Sequence, residues 1–117
     1  MRISKHFDDK EFSCHCGCGE KGIDSGLVRI LEKVRTHFDT PVRVTSGRRC
    51  STWNEAQGST STSQHLKGMA ADIQITGINP DIVARYVDKI MPEGGLGRYH
   101  TFTHIDVRAK KARWDNR

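Results

Sequence analysis

The chain has 117 residues, a formal net charge of +5 and 35% hydrophobic residues. That length builds one domain around one core and leaves little room for accessory modules. No apolar run reaches the length of a membrane helix, so no stable membrane insertion is expected, and so low an apolar content makes a metal or similar staple useful to the fold.

Met1 to Asp9 contains no hydrophobic signal region, which predicts synthesis in the cytoplasm and release by another route for any work outside it. Residues 1–13 read as an irregular lead-in, anchored on the core by Phe7 and Phe12. Cys14-His15-Cys16-Gly17-Cys18-Gly19 follows, with Cys50 far off in sequence. This alternation is not the Cys-x-x-Cys spacing of a zinc ribbon, and no matching second pair exists. It predicts a tight glycine-rich loop whose thiols are buried or paired with Cys50. The alternative is a second, structural metal site made from these cysteines and His15. A nucleophilic cysteine lacks an obvious His and acid partner.

Asp24 or Ser25 caps a helix whose apolar residues Leu27, Ile30, Leu31, Val34 and Phe38 recur at helical spacing. Arg29, Glu32, Lys33 and Arg35 form its solvated face, and Pro41 ends it. Val42 to Thr45 alternates like a short strand, which Ser46-Gly47-Arg48-Arg49 leaves through a glycine turn. A guanidinium there could bind a carboxylate or a developing oxyanion through two parallel hydrogen bonds. Ser51 to Gln57 reads as a short helix, with Asn54 bracing the neighbouring loops. Gly58 to Ser63 is small and polar, so it reads as an exposed loop.

The stretch Ser63-Gln64-His65-Leu66-Lys67-Gly68-Met69-Ala70-Ala71-Asp72 carries the clearest chemistry. His65 comes from a turn and Asp72 from the strand after it, with Gly68 and two alanines letting the backbone pack closely beneath. Along Met69 to Ile75, Ile73 and Ile75 face one way and Ala70, Asp72 and Gln74 the other. Asn79-Pro80 then starts a second helix with Ile82, Val83, Tyr86, Val87 and Ile90 as its buried stripe. Leu96 to Tyr99 and Phe102 to Val107 read as a hairpin around His100-Thr101. On its second strand Phe102, His104 and Asp106 share a face, His104 and Asp106 being roughly 7 Å apart along the strand. The sum is an α+β domain with a small, mostly antiparallel sheet. His65, Asp72 and His104 would make a three-ligand zinc centre with one open position, as catalytic zinc requires. Arg108, Lys110, Lys111, Arg113 and Arg117 form a basic tail in which Trp114 packs back onto the domain. With Trp114 as the one aromatic in that tail and no zinc-ribbon spacing, nucleic-acid binding is not expected.

The pattern Ser-x-His-x-x-Gly-x-Ala-x-Asp followed by His-x-Asp resembles the zinc D-alanyl-D-alanine carboxypeptidase family. That family includes phage endolysin peptidases, vancomycin-resistance D,D-dipeptidases and, more distantly, the Hedgehog signalling domain. The resemblance runs from about Phe12 to about Trp114, especially to the small phage and bacterial branch. Its sharpest parts are Ser46-Gly47-Arg48-Arg49, Asn54, Ser63 to Asp72 and Phe102 to Asp106. It implies one zinc peptidase domain over residues 1–117, with a Cys-rich lead-in (1–23) and a basic tail (108–117). It further implies action on peptidoglycan stem peptides, as D-Ala-D-Ala carboxypeptidase or L-alanyl-D-glutamate endopeptidase, in the manner of a phage endolysin reaching the host wall after release. A monomer is expected. In the family the arginine three after the serine contacts substrate, which assigns that role to Arg49, with Ser63 beside it. Many members place an acid three residues before the last histidine, where this chain has Thr101. Asp106 is therefore the candidate general base, or else the group that holds His104. The missing acid also leaves open a zinc-containing binding domain that has lost catalysis.

Overall fold

The computed structural model describes residues 1–19, 22–60 and 62–117. In chain order the main elements are α1 (Ser25–Phe38), β1 (Val42–Ser46), α2 (Ser51–Ala56), β2 (Ala70–Ile75), α3 (Pro80–Ile90), and then β3 (Gly95–Arg98), β4 (Thr103–Asp106) and β5 (Ala112–Asp115) in succession. The strands form one sheet in the order β1-β2-β4-β3-β5, antiparallel except for the parallel pair β3 and β5. The fold is α+β, as the sequence predicts. No helix among the described residues is long and apolar enough to cross a membrane.

The core lies between α1, α3 and one face of the sheet. Leu27, Leu31 and Val34 of α1 pack with Val83 and Val87 of α3 and with Ile73, Ile75, Leu96 and Ile105 of the strands. Phe7 and Phe12 close it from the lead-in, both essentially inaccessible to solvent, as their size and spacing lead one to expect. Asp24 caps α1 by accepting from the Gly26 N–H at 2.7 Å, and Asn79 caps α3 by accepting from the Asp81 N–H at 2.9 Å. The helix α1 stops at Asp39, which takes a left-handed conformation, two residues before Pro41.

Ile82 and Glu32 depart from expectation. Ile82 is half exposed, and Ala84 takes a place on the inner face of α3 beside Val83 and Val87. Tyr86 is only partly buried beside them. The basic tail contains a strand, Ala112–Asp115, held because Arg113 donates to the Met91 and Gly94 carbonyls at 2.6 and 2.8 Å. Its cation thus sits at the C-terminal end of α3, where the helix dipole favours positive charge.

Glu32, read as solvated, instead holds the lead-in. Its carboxylate accepts from Ser4 Oγ, the His6 N–H and the His6 ring. Burial alone would raise its pKa, but those hydrogen bonds outweigh it and hold the carboxyl below its usual range. A depressed folded pKa means stability that is present above about pH 4.3, the unfolded value, and is lost as pH falls through the folded one. Glu32→Gln is expected to lower stability by about 1–3 kcal/mol at pH 7 and by much less in acid. Urea unfolding at both pH values measures the difference.

Candidate metal centre

The second face of the sheet carries the polar cluster. Pairing of β2 with β4 sets Asp72 opposite His104 and Ala70 opposite Asp106. His104 Nδ1 thereby comes within 2.9 Å of Asp72 Oδ1. His65 arrives from a 3₁₀ turn (Gln64–Lys67) whose N-cap is Ser63, the serine Oγ accepting from the His65 N–H at 3.2 Å. Its Nε2 lies 3.3 Å from the same Asp72 Oδ1. All three side chains are buried, and their ligand atoms lie within 4.8 Å of one another.

This set fits a tetrahedral metal. Bonds of about 2.0 Å to nitrogen and oxygen give a tetrahedron edges of about 3.3 Å, close to the separations present. The tautomers also fit. His65 Nδ1 is 2.7 Å from the Gly47 carbonyl, which can only accept, so Nδ1 carries the proton and Nε2 offers its lone pair. His104 Nε2 is 2.8 Å from Asp106 Oδ2, so the proton on Nε2 is held there and Nδ1 turns to Asp72. Burial lowers the pKa of His104, but the hydrogen bonds to Asp106 and Asp72 outweigh it and raise it overall. For Asp72, burial raises the pKa and the two histidines more than reverse that, leaving it below the ordinary carboxylate range. A cation can take the position that a shared proton takes between Nδ1 and Oδ1.

Asp106 is fully buried and its carboxylate is saturated. Besides His104, it accepts from the Gly95 N–H at 3.0 Å and from Arg108 Nε and Nη2 at 2.8 and 2.7 Å. Burial pushes its pKa up, while Arg108 and His104 push it further down, below the usual range. The two side chains lean together, so the roughly 7 Å strand spacing does not separate them. Gly95 makes room for this: a Cβ there would stand 2.2 Å from Asp106 Oδ2.

The centre opens on a cleft of about 290 Å³ lined on one side by Arg49, Ser63 and Gln64 and on the other by Tyr99, Phe102, Arg108 and Trp114. Arg49 is fixed by Ser46 Oγ at 3.1 Å and Asn54 Oδ1 at 3.4 Å, and its Nη2 is 3.5 Å from Asp72 Oδ2. Asn54 is buried and donates to the Thr60 carbonyl at 2.8 Å, so it braces the loops as expected. A bulge in β1 between Val44 and Ser46 turns the chain toward this site. Arg48 points elsewhere, toward the backbone of Gly22 and Gly68. His100 and Thr101 line a separate depression and do not reach the cleft.

The aromatic wall is not among the features the sequence predicts. Tyr99 and Phe102 stack with ring centroids 4.2 Å apart, and Trp114 lies 5.0 Å from the His104 ring with its indole N–H on Tyr99 Oη. Arg108 sits 5.3 Å above the Trp114 ring, a cation–π contact. The signal was Gly95-x-Gly97, two glycines on one face of a strand. A Cβ on Gly97 would strike the Trp114 indole at 2.5 Å.

A search of the curated proteins finds no match. The family described as Peptidase M15 matches residues 5–106, from the lead-in through His65, Asp72 and His104 to Asp106. With nearly the whole chain so matched, the protein belongs to Peptidase M15 and is a member of a zinc-dependent metallopeptidase family.

Proposed function

We propose that the protein hydrolyses peptidoglycan stem peptides, with zinc held by His65 Nε2, Asp72 Oδ1 and His104 Nδ1. The observation that carries this is a preformed three-ligand cluster at the floor of a cleft with cationic and aromatic walls. Zinc held by these residues would supply Lewis acidity, for polarising a scissile carbonyl and acidifying a water. Stem peptides carry free carboxylates, and Arg49 and Arg108 put two guanidinium groups on the cleft wall. The setting we propose is that of an endolysin working on a host cell wall, in keeping with the resemblance to the small phage branch.

Arg49 binds the substrate carboxylate or the oxygen that gains charge, its fork held by Ser46 and Asn54. Ser63 lines the same wall, holding the His65 backbone and meeting the substrate from that side. Asp106 acts as a positioning residue. It locks the Nε2 proton of His104 so that Nδ1 faces Asp72, and it is too buried to serve substrate directly.

A second reading is a zinc-containing binding domain without turnover. It is favoured by one observation: among the described residues, Asp72 is the single carboxylate lining the cleft. Release of peptide fragments from purified sacculi, with and without chelator, separates the two. Chelator-sensitive release supports the peptidase. Tight binding of sacculi with no release supports the silent domain.

Arg49→Lys is expected to keep the metal and lose about 10- to 100-fold in kcat/KM, because lysine cannot present a bidentate fork. Steady-state rates with zinc analysis on the same sample check this. If Arg48→Lys proves the damaging change and Arg49→Lys is silent, the assignment is off by one residue.

A further inference from the structure

We propose that Cys14, Cys16, Cys18 and Cys50 bind a second, structural zinc ion through their four sulfurs. The fold gathers them from two distant places. The loop after the 3₁₀ turn (Asp9–Phe12) brings the first three, and the start of α2 brings Cys50. The sulfur of Cys14 is 3.4 Å from that of Cys16 and 3.7 Å from that of Cys50, with Cys16 and Cys50 3.5 Å apart. Cys18 completes a set in which all four sulfurs lie within 4.8 Å of one another.

These separations select among the chemistries open to four thiols. A disulfide needs about 2.05 Å between sulfurs, and none of the four forms one. Zinc–sulfur bonds of about 2.3 Å give a tetrahedron edges of about 3.8 Å, close to the observed spacings. A set of four sulfurs is the donor type of structural zinc, which keeps no open position. His15 is not one of the set: it is exposed and its ring lies 6.3 Å from that of Trp53.

The surroundings suit thiolates as well. The Cys50 N–H points at Cys14 Sγ and the Trp53 N–H at Cys50 Sγ, each at 3.4 Å. Donors of this kind spread the negative charge of a metal-bound sulfur and orient it. Cys16 and Cys18 are exposed, and zinc ligation would shield both sulfurs from oxidation. The site would also brace the cleft, because Cys50 directly follows Arg49. The lead-in is already tied to the same turn where the Arg48 N–H meets the Phe12 carbonyl at 2.8 Å. In a chain with a small apolar core, such a clip supplies stability that burial alone does not.

Zinc per chain is measured by mass spectrometry on the purified wild type, His104→Ala and the Cys16→Ser/Cys18→Ser double variant. Two ions in the wild type, and one in each variant, is the expected result. The double variant should also melt at a lower temperature. Should it fail to fold, the other two proteins still decide. In both, a mercurial that attacks thiols should release one zinc, and cobalt substitution should give intense thiolate-to-cobalt absorption. One zinc in the wild type and none in His104→Ala would overturn the proposal, as would a disulfide among the four cysteines. One zinc in the wild type that persists in His104→Ala leaves the cysteine site standing and removes the ion proposed for His65, Asp72 and His104.

Discussion

In the His104→Ala protein, hydrolysis of stem peptides is expected to fall to background and the ion proposed at the sheet face to be lost. His104 contributes Nδ1, one of three ligand atoms converging within a few ångströms, and two remaining ligands leave a much weaker site. The loss should exceed the ~10–100-fold in affinity that typically follows removal of a group supporting a ligand. The fold should survive. Asp106 keeps its pair with Arg108 and its bond from the Gly95 N–H, so no buried charge is left without a partner. Dialysis against a weak competing chelator, followed by zinc analysis and a rate assay, measures both effects. Full occupancy at the sheet-face centre in this variant would contradict the ligand assignment.

The second large effect concerns Asp106→Asn, where two roles predict different outcomes. As the positioning group, the carboxylate fixes the Nε2 proton of His104 and makes the ring a better ligand. An amide that presents its NH₂ to Nε2 reverses that bond and turns the wrong tautomer toward Asp72. Zinc affinity should then fall by roughly 10–100-fold, with most of the activity returning in excess zinc. A general base would behave otherwise: zinc retained, and a rate lowered by about 10²–10⁴ that no added metal restores. The saturated, fully buried carboxylate favours the first outcome. Zinc titration and turnover on this one variant decide between them.

Much of this architecture was legible because period and chemistry agreed. The alternation in Met69 to Ile75 assigned Ile73 to the core and Asp72 to the opposite face, and the structure has both there. Helical spacing found α1, and capping chemistry found the starts of α1 and α3. Asp106 was harder. Alternation says that it shares a face with His104, but not that both side chains tilt into contact, because that depends on Gly95 of a neighbouring strand. The tail was illegible for a related reason. Its partner strand is parallel and nonlocal, and nothing in the local pattern brings Arg113 to the carbonyls at the end of α3. The aromatic wall likewise depends on Trp114 crossing β3, a pairing with no local signature.

A metal-dependent peptidase centred on His65, Asp72 and His104 must lose and regain its cleavage with its metal. The direct measurement is mass spectrometry of fragments released from defined muropeptides by one protein sample taken through three states: zinc-loaded, stripped by chelator, and reloaded. The expected result is a single new amine terminus within the stem peptide in the first and third states, and intact substrate in the second. Its absence from folded, zinc-loaded protein, or the same cleavage after stripping, would contradict the account.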